Sequence, residues 1–371
     1  MYTSKFATAS CAILLAASAL FAEDGKNVLQ VKYRDIPSNA EILLKTEPET
    51  WNFNFRPYGS SAEYLWSDPI LQRNVVAGGQ SEKRMTAINV SCNERGFTLL
   101  VFCADPSLAE ALAKTNSLPI PSIEFFFTPG DADTPKIEHY YQMIYGDGDR
   151  QGELQEFPWL ERDRHFRPCL PYTTFEQRIL SNGFLIRFNF SWEPLFDRLP
   201  LDSDKLDNFW RLSVIRWADG GQTWGGVVHQ ANQAGYIRWP DFTQEQKTAI
   251  RLHLLQRAWT YFRQTSSKPA YTSAGGWGGI PICKAPYRQD ELKKTPRSYV
   301  NFGENPEFRP ILEKITAERN ALGPEIGRFR EMSPADQKAF YDKASDMLFN
   351  FTYDVQDAYE KFEADKIFSN K

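Results

Sequence analysis

From about residue 84 to residue 240 the chain alternates apolar and polar side chains in short runs broken by turn residues. A period of two sends successive side chains to opposite faces, so this stretch folds as half-buried β-strands and not as helix. The runs lie at 85–92, 97–103, 122–128, 139–145, 175–180, 183–190, 209–217, 225–229 and 235–239. Their number and spacing predict a mainly β architecture, an antiparallel β-sandwich. Ser181-Asn182-Gly183 joins two of them with the residues that a tight hairpin turn demands. In the run that follows, Phe184, Ile186, Phe188 and Phe190 share one face, which is read as core.

Past residue 240 the period lengthens. Thr243 and Gln246 form a capping box, and Ile250, Leu254, Ala258 and Phe262 recur at helical spacing. The Gly/Pro-rich stretch 273–281 reads as linker. Phe308, Ile311, Ile315 and Leu322 predict a helix closed by Gly323-Pro324. Ser333 as N-cap and Pro334 at the first helical position open another. Its apolar stripe is Phe340, Ala344, Met347, Phe351, Val355, Ala358 and Phe362. The chain thus divides into a sandwich over 23–240, a helix and linker over 241–304, and a C-terminal α-helical extension over 305–371.

Residues 1–22 carry Lys5, then an uncharged apolar run ending in small residues ahead of Glu23-Asp24. That is the pattern of a signal peptide, which implies a secreted or periplasmic protein with no membrane span in its mature form. With 43 Lys+Arg against 47 Asp+Glu the chain lacks the basic excess that a nucleic-acid partner requires. Cys92, Cys103, Cys169 and Cys283 remain beyond residue 22. A hairpin turning at Asn93-Glu94-Arg95-Gly96 sets Cys92 opposite Phe97 and Cys103 opposite Thr86. The two sulfurs are then roughly 20 Å apart along the ladder, too far for a disulfide, and are expected to be buried free thiols. His139, His165, His229 and His253 show no metal-ligand spacing. Serine-nucleophile elbows, phosphate loops and dinucleotide fingerprints are absent, so those chemistries have no support.

Three segments together resemble a family 9 carbohydrate-binding module, within the DOMON-like β-sandwiches. The first is Thr86–Cys92 leading through Phe97 to Asp105-Pro106. The second is Ser122-Ile123-Glu124-Phe125-Phe126-Phe127-Thr128 followed by Tyr140-Tyr141-Gln142. The third is Trp210–Trp217, then Thr223-Trp224-Gly225-Gly226 and Gly235-Tyr236-Ile237-Arg238-Trp239. The likeness spans about residues 40–240. It implies a sugar clamped between aromatic rings, with Trp224 as one ring, Glu124 as the carboxylate and Gln142 as the amide that bond its hydroxyls. The physics is general, since a pyranose packs its C–H faces on an indole and needs directional partners for its hydroxyls. The second ring position falls in Leu118-Pro119-Ile120-Pro121, which holds no aromatic, and Trp159 is the candidate replacement.

Trp217 and Trp239 end strands and either extend a binding platform or pack as core. Arg216, beside Trp217, suits an internal ion pair or a sugar hydroxyl. Asp147 and Asp149, in Asp147-Gly148-Asp149, start an oxygen-rich loop that a structural calcium could use or that is a solvated turn. No organic cofactor is implied. The resulting expectation is an exported, non-catalytic protein that binds carbohydrate or polysaccharide. Two alternatives stay open. One is a glycoside hydrolase-like enzyme with a cleft built by 146–171 and the loop around Trp277. The other is a scaffold whose C-terminal helices bind a protein partner or a second copy.

Overall fold

The computed structural model describes residues 28–53, 55–57, 85–104, 122–129, 140–146, 154–159, 173–180, 182–201, 209–217, 221–226, 234–267, 270–272 and 299–369. Two sheets face each other. The larger, of eight strands, runs β1 (Val28–Gln30), β13 (Gly235–Arg238), β11 (Phe209–Trp217), β6 (Ser122–Thr128), β7 (Tyr140–Tyr145) and β8 (Leu154–Trp159). β12 (Gln222–Trp224) also pairs with β11, and β3 (Arg56–Pro57) pairs with β12. The smaller, of five, runs β2 (Lys32–Tyr33), β4 (Thr86–Cys92), β5 (Gly96–Ala104), β10 (Gly183–Ser191) and β9 (Thr173–Leu180).

The sheets are mixed, which corrects the expected all-antiparallel arrangement: β1 lies parallel to β13 and β2 parallel to β4. β1 and β2 are consecutive pieces of one N-terminal segment that passes from one sheet to the other at Val31, whose N–H bonds Arg238 O at 2.9 Å. No hairpin joins this segment to its neighbours, so connectivity does not force it antiparallel. Elsewhere the hairpin register is the expected one. Leu180 faces Gly183 across the Asn182 turn, Cys92 faces Phe97, and Cys103 faces Thr86. Both cysteines are buried free thiols, and burial pushes the Cys92 thiol pKa up.

Four strands differ from the pattern. β12 covers Gln222–Trp224, just ahead of the strand expected at 225–229, and it stops there because Gly225 and Gly226 both have positive φ, 85° and 124°; residues 227–229 lie outside the described residues. A Cβ on Gly225 would lie 2.4 Å from Leu212 O, so only glycine lets the backbone pass there. β8 lies within the segment 146–171, where the alternation predicted no strand. A short pair, β14 (Ala270–Thr272) with β15 (Tyr299–Asn301), flanks the stretch that was read as linker. Residues 1–22, expected to be a signal peptide, the Gly-rich stretch 273–281, and Asp147 and Asp149 lie outside the described residues.

Strand parity builds the interior. Phe184, Ile186, Phe188 and Phe190 are all buried between the sheets. Phe97 stacks on Phe190 with centroids 4.5 Å apart, and Trp210 meets Trp239 edge-on at 4.8 Å. Trp192 completes this cluster and donates its indole N–H to Asn93 O at 2.9 Å. Such ring pairs each add about 0.5–1.5 kcal/mol beyond the area they bury.

The helices continue the same core. α1 (Gln244–Thr265) is opened by the Thr243–Gln246 capping box and buries Ile250, Leu254, Leu255, Ala258 and Phe262. α2 (Arg309–Asn320) is followed directly by α3 (Leu322–Gly327), so Gly323-Pro324 lies inside a helix and does not close one. Gly323 is packed under the Trp259 ring, where a Cβ would approach to 2.8 Å. The predicted long helix after Ser333 is two, α4 (Pro334–Phe349) and α5 (Phe351–Ser369), parted at Asn350. Tyr341 Oη donates to Phe196 O at 2.6 Å, and Phe349 stacks on Phe196 at 4.8 Å, fixing α4 to the turn after β10. Arg319 is buried, donating to Met347 O at 2.8 Å and to Asp354, which ties α2 to both α4 and α5. Among the described residues no helix is long and apolar enough to cross a membrane.

Candidate functional site

β11 carries two tryptophans an odd number of positions apart, so they fall on opposite faces. Trp210 points into the sandwich with Leu212 and Val214, and it is fully buried. Trp217 ends the strand on the outer face and is 36% exposed. On β6 the same parity separates Ile123, Phe125 and Phe127, which are core, from Glu124. The register sets Glu124 opposite Ile215 on β11 and opposite Ile144 on β7, with Gln142 on the diagonal.

These residues form one polar constellation. Gln142 Nε2 donates to Glu124 Oε1 at 2.6 Å, and Trp217 Nε1 donates to Glu124 Oε2 at 2.7 Å. Glu124 and Gln142 are each 6% exposed. A carboxylate so placed needs directional donors, and here each oxygen has one while retaining a further lone-pair direction. The indole N–H bond lies in the ring plane. It therefore fixes the ring's orientation without occupying either face.

Trp224 does not belong to this group, and the expected clamp ring is corrected on that point. On β12 it pairs with Val214 of β11, takes the inward parity, and is wholly buried with no acceptor for its indole N–H. Both of its faces are covered by protein. Trp239 is likewise core. Arg216 is also turned inward: its Nη1 donates to Thr86 Oγ1 and to Ala104 O, each at 3.3 Å, so it ties the two sheets together at one end. That arrangement replaces the sugar-hydroxyl role with a structural one. Trp159 pairs with Tyr140, beyond Phe127, whereas Trp217 pairs with Ser122 at the other end of β6. The two backbone positions are on the order of 20 Å apart along the strands, too far to close on one pyranose.

No family model matches this sequence, and no curated protein matches it. Among solved structures, a family 9 carbohydrate-binding module from Caldicellulosiruptor kristjanssonii in complex with glucose is similar over 58% of this chain and 97% of its own, with 11% identity and a TM-score of 0.32. A family 9 module from the same organism in complex with cellotriose covers 58% and 95%, with 10% identity and a TM-score of 0.30. The site stands on its own geometry.

Among the described residues no group of three or more His, Cys, Asp or Glu is placed to hold a metal ion. Of the four histidines, His253 alone is described. It lies half-buried on α1, and burial lowers its pKa below the ordinary histidine value. The signal for Trp217 was present in the sequence, since parity counted from Trp210 turns it outward. The signal for Trp224 was not, because its face depends on which strand β12 pairs with.

Proposed function

We propose that this is an exported protein that binds carbohydrate without breaking a bond, and that the contact is made at Trp217, Glu124 and Gln142. The observation that carries the reading is an exposed indole whose edge is fixed by a buried carboxylate, itself held by an amide. Such a ring presents a flat apolar face with little freedom left to lose on binding, which is what packing against sugar C–H groups rewards. The remaining lone pairs of Glu124 sit beside that face and accept from equatorial hydroxyls. The resemblance of the strand pair around Glu124 and Gln142 to a sugar-binding module supports the same reading, with the stacking role moved from Trp224 to Trp217.

The test is a glycan array followed by titration calorimetry on the chain from Glu23, comparing wild type with Trp217→Ala and Glu124→Gln. At least one glycan is expected to lose tenfold or more in affinity in both variants, while each still unfolds cooperatively and Trp217→Ala loses no more than about 1–3 kcal/mol of stability with its donor to Glu124. Equal binding by wild type and Trp217→Ala across the array removes the reading.

A further inference from the structure

On the opposite sheet, the outer face carries an open groove of about 590 Å³. Its floor is a row across three adjacent strands. Thr98 on β5, Asn189 on β10 and Thr174 on β9 stand in register, and Arg187 is the next outward residue on β10. They are joined to one another. Asn189 Oδ1 accepts from Thr98 Oγ1 at 3.0 Å and from Arg187 Nε at 2.8 Å, while Asn189 Nδ2 donates to Thr174 Oγ1 at 3.3 Å. It is also lined by the Arg34-Asp35-Ile36 segment after β2, the β4–β5 turn, Glu193 and, from α1, His253 and Arg257.

The charge arrangement decides what such a groove takes. Three of its four guanidiniums already hold a carboxylate: Arg34 with Glu47 at 2.5 Å, Arg257 with Glu193 at 2.6 Å, and Arg95 with Glu94 at 3.2 Å. Asp35 in turn accepts from Asn93 at 2.7 Å. A site for a sulfate, phosphate or acidic chain would present cations free of such partners. This one presents hydroxyls, an amide, paired charges and one guanidinium, Arg187, that is bonded to the amide of Asn189, donors and acceptors side by side on fixed strands. A hydroxyl both donates and accepts, so a run of vicinal hydroxyls matches that surface and a simple anion does not. The volume lies within the range of about 300–1,000 Å³ typical of small-molecule sites.

We propose that this groove is a second binding site, for a neutral oligosaccharide, held by hydrogen bonds to Asn189, Arg187 and Thr174 and not by ring stacking. It lies on the other sheet from Trp217, so a long glycan or two separate chains can engage both faces of one molecule. Prior fastening of Arg187 and Asn189 to their neighbours lowers the ordering cost of binding.

The experiment uses the chain from Glu23 carrying Trp217→Ala, which removes the ring of the first site. Cellotriose, xylotriose and mannotriose are titrated singly by calorimetry, with sodium sulfate as a fourth probe. One triose is expected to bind this protein, to lose tenfold or more in affinity when Asn189→Ala or Arg187→Ala is added, and to be indifferent to sulfate. Arg187→Ala in the otherwise native chain should leave Trp217-dependent glycan binding unchanged. Because Asn189 is the hub of the row, the half-exposed Arg187 provides the variant that keeps the fold, checked by thermal unfolding. The proposal is overturned if no triose binds the Trp217→Ala protein, if sulfate binds or competes, or if neither groove variant weakens the triose. Failure of the first site looks different: Trp217→Ala then changes nothing on the array while the groove variants still act.

Discussion

The interior between the sheets and the outer face of the larger sheet are built from the same residue types and do opposite things with them. Inside, Trp192, Trp210, Trp224 and Trp239 are buried. Three of these, Trp210, Trp224 and Trp239, find no acceptor for the indole N–H. Outside, the Trp217 N–H is bonded to Glu124 and the ring is left partly open. The interior rings stabilise through area and edge contacts, and a buried N–H without an acceptor is a cost that the packing outweighs. The outer ring leaves part of its area open and is held at its edge by a charged hydrogen bond to Glu124. On β11 the role of a tryptophan is therefore set by the face of the strand it occupies.

The contrast can be broken most forcefully at Trp224. Trp224→Ala is expected to cost about 3–5 kcal/mol, as large-to-small changes of buried aromatics do, read from the urea midpoint. A stable Trp224→Ala protein that had lost only glycan binding would return the stacking role to that ring. Next in size is Gly225→Ala. Its φ of 85° and the 2.4 Å approach to Leu212 O should make the change cost about 2–3 kcal/mol by strain and overpacking. Because Gly225 ends the strand that seats Trp224, near-ultraviolet circular dichroism should change with it.

Trp217→Phe sharpens the comparison from the other side. It keeps a ring but removes the donor to Glu124 Oε2, leaving a buried carboxylate oxygen without that partner. A loss of about 1–2 kcal/mol is expected, together with sugar binding weakened by more than the smaller area of a phenyl ring accounts for. No change in either quantity would mean that the bond to Glu124 does not orient the ring.

The smallest effect concerns the groove wall on the other sheet. Burial lowers the His253 pKa in the folded chain, so the unfolded chain binds the proton more readily. Stability therefore holds above the ordinary histidine pKa and declines as pH falls below it. Urea unfolding at pH 7.5 and 5.5 should show that decline. His253→Gln should remove the part due to this residue, and an unchanged slope in the variant would assign it elsewhere.

Local pattern made a good part of this legible. Alternation located the hairpin at Asn182 and the Cys92–Phe97 register, and thereby the two separated thiols. Capping chemistry placed the starts of α1 at Thr243 and of α4 at Ser333. These features depend on neighbours within a few residues, where period and turn geometry act directly. The misses share a physical cause. The parallel pairing of β1 and β2, the position of β8 and the break at Asn350 are set by what each segment packs against, which local propensity does not specify.

The same division runs through the site. The sequence by itself determined that Glu124 lies on the opposite face of β6 from Phe125, and that Trp217 lies opposite Trp210, because side-chain direction follows from counting along one strand. Only the tertiary structure decided that Gln142 and Trp217 converge on Glu124 from the strands on either side, that Trp224 turns inward beside Val214, and that Arg216 ties Thr86 to the facing sheet. Those outcomes depend on register between strands far apart in the chain, and register is chosen by the packing of the whole sandwich.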